Sequence, residues 1–158
     1  MTSELTHFNE NEGAKMVDIA EKPLTKRTAK ASCFVKLRPD VVEAVRNNST
    51  PKGNPMEVAK IAGIMGAKKT SELIPLCHQL NLSKVGIDTE LADNGVRIVG
   101  TAVTTGQTGV EMEALTAVSI AALAVYDMCK ALQRDIEISD IRLEAKEGGI
   151  RGDYKRQE

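Results

Sequence analysis

Asp127 and Lys130 are the two residues whose types and spacing most directly suggest chemistry. They stand three positions apart in the segment "YDMCK", so on a helix they lie one turn apart and can form an ion pair. A carboxylate beside an amine can orient that amine and shift its pKa, as general acid–base catalysis requires. The simpler alternative is a solvated ion pair without a function, and it stays open at this point.

His78 raises a related question, because it lies in the apolar, proline-broken stretch "LIPLCHQL" beside Cys77. The chain has only two histidines. The ordinary interpretation is a buried histidine with one satisfied hydrogen bond. The alternative is an imidazole that contacts a ligand.

Several lysines lie in or beside turns, where small neighbours would let a ligand approach closely: Lys52, Lys68, Lys69 and Lys146. Charges of this kind are usually only solvated. If the fold brought them together with Lys130, they could hold a polyphosphate. No nucleophile elbow, Cys–His nucleophile pattern or dinucleotide fingerprint accompanies them, so the available chemistry is acid–base and electrostatic.

A long, mostly apolar helix is predicted over roughly residues 110–133, and its ionisable residues share one polar stripe. Glu113 and Asp127 both lie on this stripe, fourteen residues apart, which is about 21 Å along a helix axis. One small reacting centre cannot touch both side chains of a single helix. We therefore expect either a long ligand or a site shared by two subunits of a homo-oligomer.

Composition excludes several classes of function. The formal net charge is -1 and aromatic residues make up 3% of the chain, which argues against nucleic-acid binding. Cys33, Cys77 and Cys129 are far apart, which is typical of reduced thiols and predicts no metal site. The start of the chain lacks the pattern of a secretory signal, and the apolar run 114–126 is short for a membrane span. We expect a cytoplasmic protein that does not enter a membrane.

The order of predicted elements, ββ-α-α-ββ-α-β, favours an α+β fold in which helices pack on one face of an antiparallel sheet, with a ferredoxin-like second half. Strands are predicted at Met16–Ala20, at Ala29–Leu37, on both sides of Asp93-Asn94-Gly95, and as one final strand or kinked strand pair. We interpret residues 1–15 as a flexible polar leader, 16–147 as a single domain and 148–158 as a flexible glycine-containing tail.

Helix starts are predicted at Pro39 and at Pro55 with Asn54 as N-cap, and a short helix is predicted after them with Thr70 or Ser71 as its N-cap. The second of these helices is expected to end at Gly66. Its buried face is expected to consist of the apolar residues Met56, Ala59, Ile61, Ala62, Ile64 and Met65.

Two long blocks carry more than a general pattern: "KKTSELIPLCHQLNLSKV" and "TGVEMEALTAVSIAALAVYDMCKA". With the opening "LTHFNENEGAKMVDIAEK", they closely resemble the MoaC family, the cyclic pyranopterin monophosphate synthases of molybdenum cofactor biosynthesis. The resemblance covers nearly the whole chain. It implies a ferredoxin-like subunit, a hexamer built as a trimer of dimers, and active sites at subunit interfaces.

The resemblance also implies a reaction. A cytoplasmic lyase of this family converts 3',8-cyclo-7,8-dihydro-GTP, the product of a radical-SAM GTP cyclase, to cyclic pyranopterin monophosphate and releases pyrophosphate. No redox cofactor is implied, and Mg²⁺ bound with the triphosphate stays an open alternative.

The family's motifs place catalytic roles on Asp127, Lys130 and Lys52. They place substrate-binding roles on Leu76, Cys77, His78, Met112, Glu113, Lys68, Arg27 and Lys146. Two departures stand out. Gln79 replaces the proline of the family's "LCHP", and "KEGGIRGD" stands where many members have "KSGGKSGD", so that Ile150 occupies a lysine position beside Arg151. A non-catalytic nucleotide-binding oligomer and a purely structural assembly are the alternative functions.

Overall fold

The computed structural model of the chain describes residues 8–9 and 13–157. Its elements in chain order are β1 (Phe8–Asn9), β2 (Gly13–Ala14), β3 (Thr25–Lys36), α1 (Pro39–Arg46), α2 (Pro55–Lys68), α3 (Thr70–Leu73), β4 (Leu82–Ala92), β5 (Gly95–Gly106), α4 (Glu111–Cys129), β6 (Glu137–Glu147) and β7 (Tyr154–Lys155).

Five of the strands form one antiparallel sheet with the order β4-β5-β3-β6-β7, and β1 pairs with β2 separately. The chain order β3-α2-β4-β5-α4-β6 with the sheet order β4-β5-β3-β6 is that of a ferredoxin-like split βαβ fold. The predicted fold class is therefore confirmed. The predicted hairpin is also present, since β4 and β5 flank Asp93 and Asn94 with Ala92 paired to Gly95.

The core lies between the sheet and the two longer helices. On β3 the side chains of Ala29, Ala31, Cys33 and Val35 alternate toward this core and are all essentially buried, as the period of two predicts. The Cys33 thiol donates a hydrogen bond to the carbonyl oxygen of Val118 on α4 at 3.4 Å. This contact fixes α4 directly over the centre of the sheet.

Small residues let α2 approach α4 closely. A side chain built on Gly63 would lie 2.9 Å from the carbonyl oxygen of Ala117, and one built on Gly66 would lie 2.7 Å from Ile120. The predicted buried face of α2 was wrong for two of its members, because Ile61 and Met65 are each 61% exposed. Burial falls instead on the small positions that permit the contact: Ala59, Gly63, Gly66 and Ala67. The predicted helix end at Gly66 was also wrong. Gly66 lies inside the contact with α4, and α2 continues through it to Lys68.

Helix starts follow local chemistry. Pro39 begins α1 as predicted. The Asn54 side chain caps α2, accepting hydrogen bonds from the backbone N–H groups of Met56 at 2.9 Å and Glu57 at 3.3 Å. For α3 the prediction was one residue late, since Lys69 occupies the N-cap position. The Thr70 hydroxyl instead donates to the carbonyl oxygen of Ala67.

The two ends of the chain differ from the sequence pattern. The strand predicted at Met16–Ala20 was wrong, since residues 15–19 form no regular structure and Ala20 lies in a turn. The predicted leader 1–15 lies largely outside the described residues, apart from β1, β2 and Lys15. Within the segment predicted as a tail, β7 pairs with β6 through Tyr154 and Lys155.

The final strand prediction allowed for a kink, and β6 has one. Asp140 adopts a left-handed conformation with φ of 54°, and the register of β6 against β3 shifts in two places. By length and composition alone α4 could cross a membrane. In the structure it is the core helix: Ala114, Ala117, Val118 and Ala121 are fully buried between the sheet and α2.

Candidate active site

Asp127 lies between two amines at the C-terminal end of α4. Its Oδ1 is 2.7 Å from Nζ of Lys130, one helical turn away, and its Oδ2 is 2.6 Å from Nζ of Lys52. Lys52 is supplied by the turn before α2, which the Thr50 hydroxyl closes by donating to the Gly53 carbonyl. A single carboxylate thus positions two ammonium groups on an open surface, where about half of each side chain stays exposed.

Electrostatics keep this cluster charged. The hydrogen bond from Lys130, followed by that from Lys52, lowers the pKa of Asp127 from 3.8 to about 2. The same carboxylate raises the pKa of Lys130 above its ordinary value. At neutral pH the cluster holds one negative and two positive charges, so it can attract an anionic substrate and deliver protons to it.

A second group of charged residues lines a cleft of about 330 Å³ at the other end of α4. Lys146 on β6 is 3.0 Å from Oε1 of Glu111, in the first turn of α4. Arg27 on β3, Lys22 and Arg151 also line the cleft, together with the backbone of residues 148–152. Four cations against two carboxylates, those of Glu111 and Glu147, make this cleft electropositive.

Arg27 is the unusual member of the cleft, because it is only 8% exposed. Its Nε donates to the carbonyl oxygen of Gly106 at 3.1 Å, but its buried Nη2 has no hydrogen-bond partner among the described residues. A buried guanidinium with an unmet donor is costly unless an anion joins it. Together with the other cations of the cleft, this donor is chemically suited to an anion such as phosphate.

Glu113 and Cys77 interact electrostatically near the N-terminal end of α4. Burial, reinforced by the charge of Glu111, raises the pKa of Glu113, which is only 4% exposed. Burial and then the charge of Glu113 raise the pKa of the Cys77 thiol. Cys77 is thus held as a neutral thiol at pH 7, which does not suit a nucleophile.

Leu76, Cys77 and His78 lie half-buried in the irregular segment between α3 and β4. Within residues 13–157 no hydrogen bond reaches the His78 imidazole, so it is not the satisfied core histidine that the simpler interpretation expects. Met112 is 36% exposed at the start of α4 and Lys68 is exposed at the end of α2. In the part of the chain that the structure describes, no three His, Cys, Asp or Glu side chains are grouped as metal ligands would be.

The predicted site residues thus form two groups in one chain. Lys52, Asp127 and Lys130 are in direct contact at the C-terminal end of α4. Arg27, Lys146 and Glu113 belong to the N-terminal end of the same helix, with the 330 Å³ cleft beside it. The structure does not bring the two groups together within a single chain, as their separation along the helix requires.

Known proteins of similar sequence identify the family to which this chain belongs. Residues 16–149 match the MoaC family. The chain belongs to the MoaC family. A relative from Streptomyces griseus, named cyclic pyranopterin monophosphate synthase, is 53% identical over 96% of this chain and 86% of its own length. A relative of the same name from Brevibacillus brevis is 50% identical over all of this chain and 99% of its own.

One MoaC relative has an additional part. A protein from Chlorobaculum tepidum named molybdenum cofactor biosynthesis bifunctional protein is 52% identical over 92% of this chain, which spans 47% of that relative. The similarity to the Streptomyces griseus and Brevibacillus brevis relatives extends over almost all of this chain.

Two features of this MoaC chain were missed by the sequence-based assignment. Glu111 was given no role in the site, although it pairs with Lys146 across the cleft. Asp153 was likewise given no role, although its carboxylate accepts a hydrogen bond from the backbone N–H of Gly148 at 2.9 Å. The first contact joins residues of separate elements, 35 positions apart, and the second closes the loop between β6 and β7. The only signal in the sequence was the unusual density of glycine around Asp153.

Proposed function

We propose that this MoaC chain is a lyase of molybdenum cofactor biosynthesis that converts 3',8-cyclo-7,8-dihydro-GTP to cyclic pyranopterin monophosphate and releases pyrophosphate. Membership of the family and the names of its relatives support the pathway and the enzyme class. The observation that carries the site assignment is the Lys52–Asp127–Lys130 cluster, with contacts of 2.6 and 2.7 Å.

In this proposal the cluster performs the proton transfers of purine ring opening. Asp127 stays ionised because its pKa is about 2, so it orients both amines throughout the physiological range. Lys130, whose pKa is raised, stays protonated and suits the stabilisation of developing negative charge. Lys52 approaches the other oxygen of the same carboxylate and is the second proton-transfer group.

The electropositive cleft would hold the triphosphate. Arg27 offers an unmet buried donor and Lys146 is fixed by Glu111, so both can stabilise charge when the bond between the α- and β-phosphates breaks and pyrophosphate leaves. A hydroxyl of the substrate attacks the α-phosphorus, loses its proton and closes the cyclic phosphate. His78, Cys77, Leu76, Met112, Glu113 and Lys68 would line the remainder of the pocket.

A complete site needs a second subunit. The cluster around Asp127 and the residues around Glu113 lie about 21 Å apart along α4. A single substrate would contact both kinds of residue only if another copy of the chain brings the Glu113 end of its α4 beside the Asp127 cluster. We therefore propose a homo-oligomer, a hexamer built as a trimer of dimers, with active sites at subunit interfaces. Several large apolar side chains of the helical layer are exposed in one chain and are available for such contacts: Val58, Ile61, Met65 and Leu123.

The remaining expectations belong to the same proposal. The substrate would come from a radical-SAM GTP cyclase, the location would be cytoplasmic, and no redox cofactor would be needed, because the reaction rearranges bonds without net electron transfer. Mg²⁺ would enter only with the triphosphate. The protein itself would supply no set of acidic ligands for this ion.

Conversion of the cyclised nucleotide tests the function. The purified protein is incubated with 3',8-cyclo-7,8-dihydro-GTP while pyrophosphate is measured enzymatically and the pterin product by mass spectrometry. We expect both products from the wild-type protein and neither from Asp127→Ala. The alternative, a nucleotide-binding oligomer without catalysis, predicts tight binding of the substrate and no pyrophosphate.

A further inference from the structure

The C-terminal segment after β6 folds back over the electropositive cleft. A turn closed by the hydrogen bond from Gly152 N–H to the Gly149 carbonyl, 3.2 Å long, reverses the chain. The segment then pairs with β6 as β7, and the backbone N–H of Arg156 donates to the Glu144 carbonyl at 2.8 Å. Residues 148–153 are therefore anchored at both ends; we call them the glycine strap.

Asp153 ties the strap to its own beginning. Its Oδ1 accepts a hydrogen bond from the backbone N–H of Gly148 at 2.9 Å. Gly148 has φ of +79°, and a side chain there would overlap the carbonyl oxygen of Lys26, so the backbone passes against β3 as only glycine can. The Asp153 carboxylate thus fixes how closely the strap approaches β3.

Gly149 lies directly against the guanidinium of Arg27. A Cβ atom built on Gly149 would be 2.6 Å from Nη1 of Arg27, which is closer than any side chain can come without displacing that group. On its other side Arg27 is held by the hydrogen bond from Nε to the Gly106 carbonyl. The position of the buried guanidinium is thus set jointly by β5 and by the strap.

From these contacts we propose that Asp153 is a positioning residue for anion binding: it holds the glycine strap against Arg27 and so fixes the guanidinium at the rim of the phosphate cleft. Asp153 itself contacts no ligand. The role depends on the acceptor oxygen of Asp153, because the hydrogen-bond partner is a backbone N–H group. It does not depend on the negative charge of the carboxylate. The identity of the bound substrate rests on the proposed function, whereas the binding of a phosphate anion in the cleft does not.

Substitution at Asp153 separates these two properties. The full-length oligomer is titrated with inorganic pyrophosphate as the probe, and the Kd is measured by calorimetry. We expect Asp153→Ala to raise this Kd on the order of tenfold, because it loses a hydrogen bond that orders a charged group. Asp153→Asn keeps an acceptor oxygen and should bind within about twofold of wild type. Lys155→Ala, in β7 and outside both the strap and the lining of the cleft, is the control and should bind as wild type does.

Two results with the Asp153 variants would overturn the positioning role. One is a loss in Asp153→Asn as large as that in Asp153→Ala; the other is unchanged binding in Asp153→Ala. Absence of pyrophosphate binding by the wild-type oligomer at millimolar concentration would also overturn it. If the proposed function holds as well, Asp153→Ala raises KM for the cyclised nucleotide and leaves kcat within about twofold. Pyrophosphate binding that follows this pattern without any turnover would instead reject the function and keep the inference.

The glycines of the strap give an independent test. Gly149→Ala puts a methyl group onto the Arg27 guanidinium, at φ of +107°, and should weaken pyrophosphate binding. Gly152→Ala is matched for backbone strain, since Gly152 has φ of +77°, but a side chain there meets nothing within 4 Å. Equal weakening in the two variants would show that contact with Arg27 is not the cause and would contradict the proposal.

Discussion

At the scale of single residues, the account depends on Asp127 staying ionised between two amines. Its pKa of about 2 lies below the ordinary 3.8, so the ion pairs are fully formed above pH 4 and are lost only as the pH falls toward 2. Titration of Asp127 therefore does not limit activity between pH 5 and 8. An acid limb of the pH–rate profile in that range must come from another group.

Lys130 provides a direct test of the coupling. Asp127→Asn removes the negative charge that helps to raise the pKa of Lys130, so a larger fraction of the amine is neutral at pH 9. We expect faster modification of Lys130 by an amine-reactive reagent in this variant, measured by peptide mass spectrometry. Lys69, which pairs with Glu72 at 2.9 Å, is the internal control, and its rate should not change. Equal rates for Lys130 in both proteins would contradict the coupling.

Glu113 should make stability depend on pH in the opposite sense to Asp127. Its pKa is raised by burial, so the folded state holds the proton more tightly than the unfolded state. Its contribution to stability is present below pH 4.5 and is lost as the pH rises through the raised pKa. We expect the Tm of Glu113→Gln to exceed that of wild type at pH 8. This difference in Tm should be several degrees larger at pH 8 than at pH 4.5.

The exposed residue Glu90 supplies the control for that experiment. Glu90→Gln, on β4, should leave the difference in Tm from wild type the same at both pH values. A Glu113→Gln difference that is equally large at pH 4.5 and pH 8 would show that burial of the charge is not what separates the two proteins.

At the scale of elements, the sequence predicted structure well where the determinants are local. The alternation in β3, the turn around Asp93, and the cap at Asn54 each depend on neighbouring residues, and all three are present. The buried face of α2 was mispredicted because hydrophobicity favours large side chains such as Ile61 and Met65. The true interface depends on a close approach to α4 that only Gly63 and Gly66 permit.

The glycines of α2 should respond to substitution in an unusual direction. Alanine in place of glycine normally stabilises an exposed helix by up to about 1 kcal/mol. At Gly63 the added methyl group meets the Ala117 backbone, which cannot move aside cheaply, so we expect Gly63→Ala to destabilise the protein by about 1–3 kcal/mol. Urea unfolding measures this. A neutral or stabilising effect would mean that α2 and α4 can separate without cost.

At the scale of the whole molecule, one chain carries two separate groups of candidate site residues, which we propose are two halves of a shared site. The Asp127 cluster was partly predictable, since Asp127 and Lys130 are one turn apart. Its contact with Lys52 was not predictable from spacing, because it joins residues 75 positions apart. The anchored strap was not predictable either, since β7 has only two residues and its position depends on pairing with β6.

Mixing of inactive subunits tests whether the halves belong to different chains. Asp127→Ala and Arg27→Ala subunits, carrying different affinity tags, are co-expressed and the mixed oligomers isolated. If the site is shared, some interfaces contain both intact residues, and activity should recover to about a quarter of wild type for random assembly. Mixtures without recovery would show that Asp127 and Arg27 act in the same chain or not in one site.

The most direct test of the central claim compares wild type with Asp127→Asn in a single turnover of 3',8-cyclo-7,8-dihydro-GTP. We expect the wild-type oligomer to form one pyrophosphate for each pterin product. The variant should assemble normally but react about 10²–10⁴-fold more slowly, as loss of acid–base catalysis predicts. Turnover by Asp127→Asn near the wild-type rate, or no conversion by a correctly assembled wild-type protein, would contradict the assignment of this cluster as the catalytic centre.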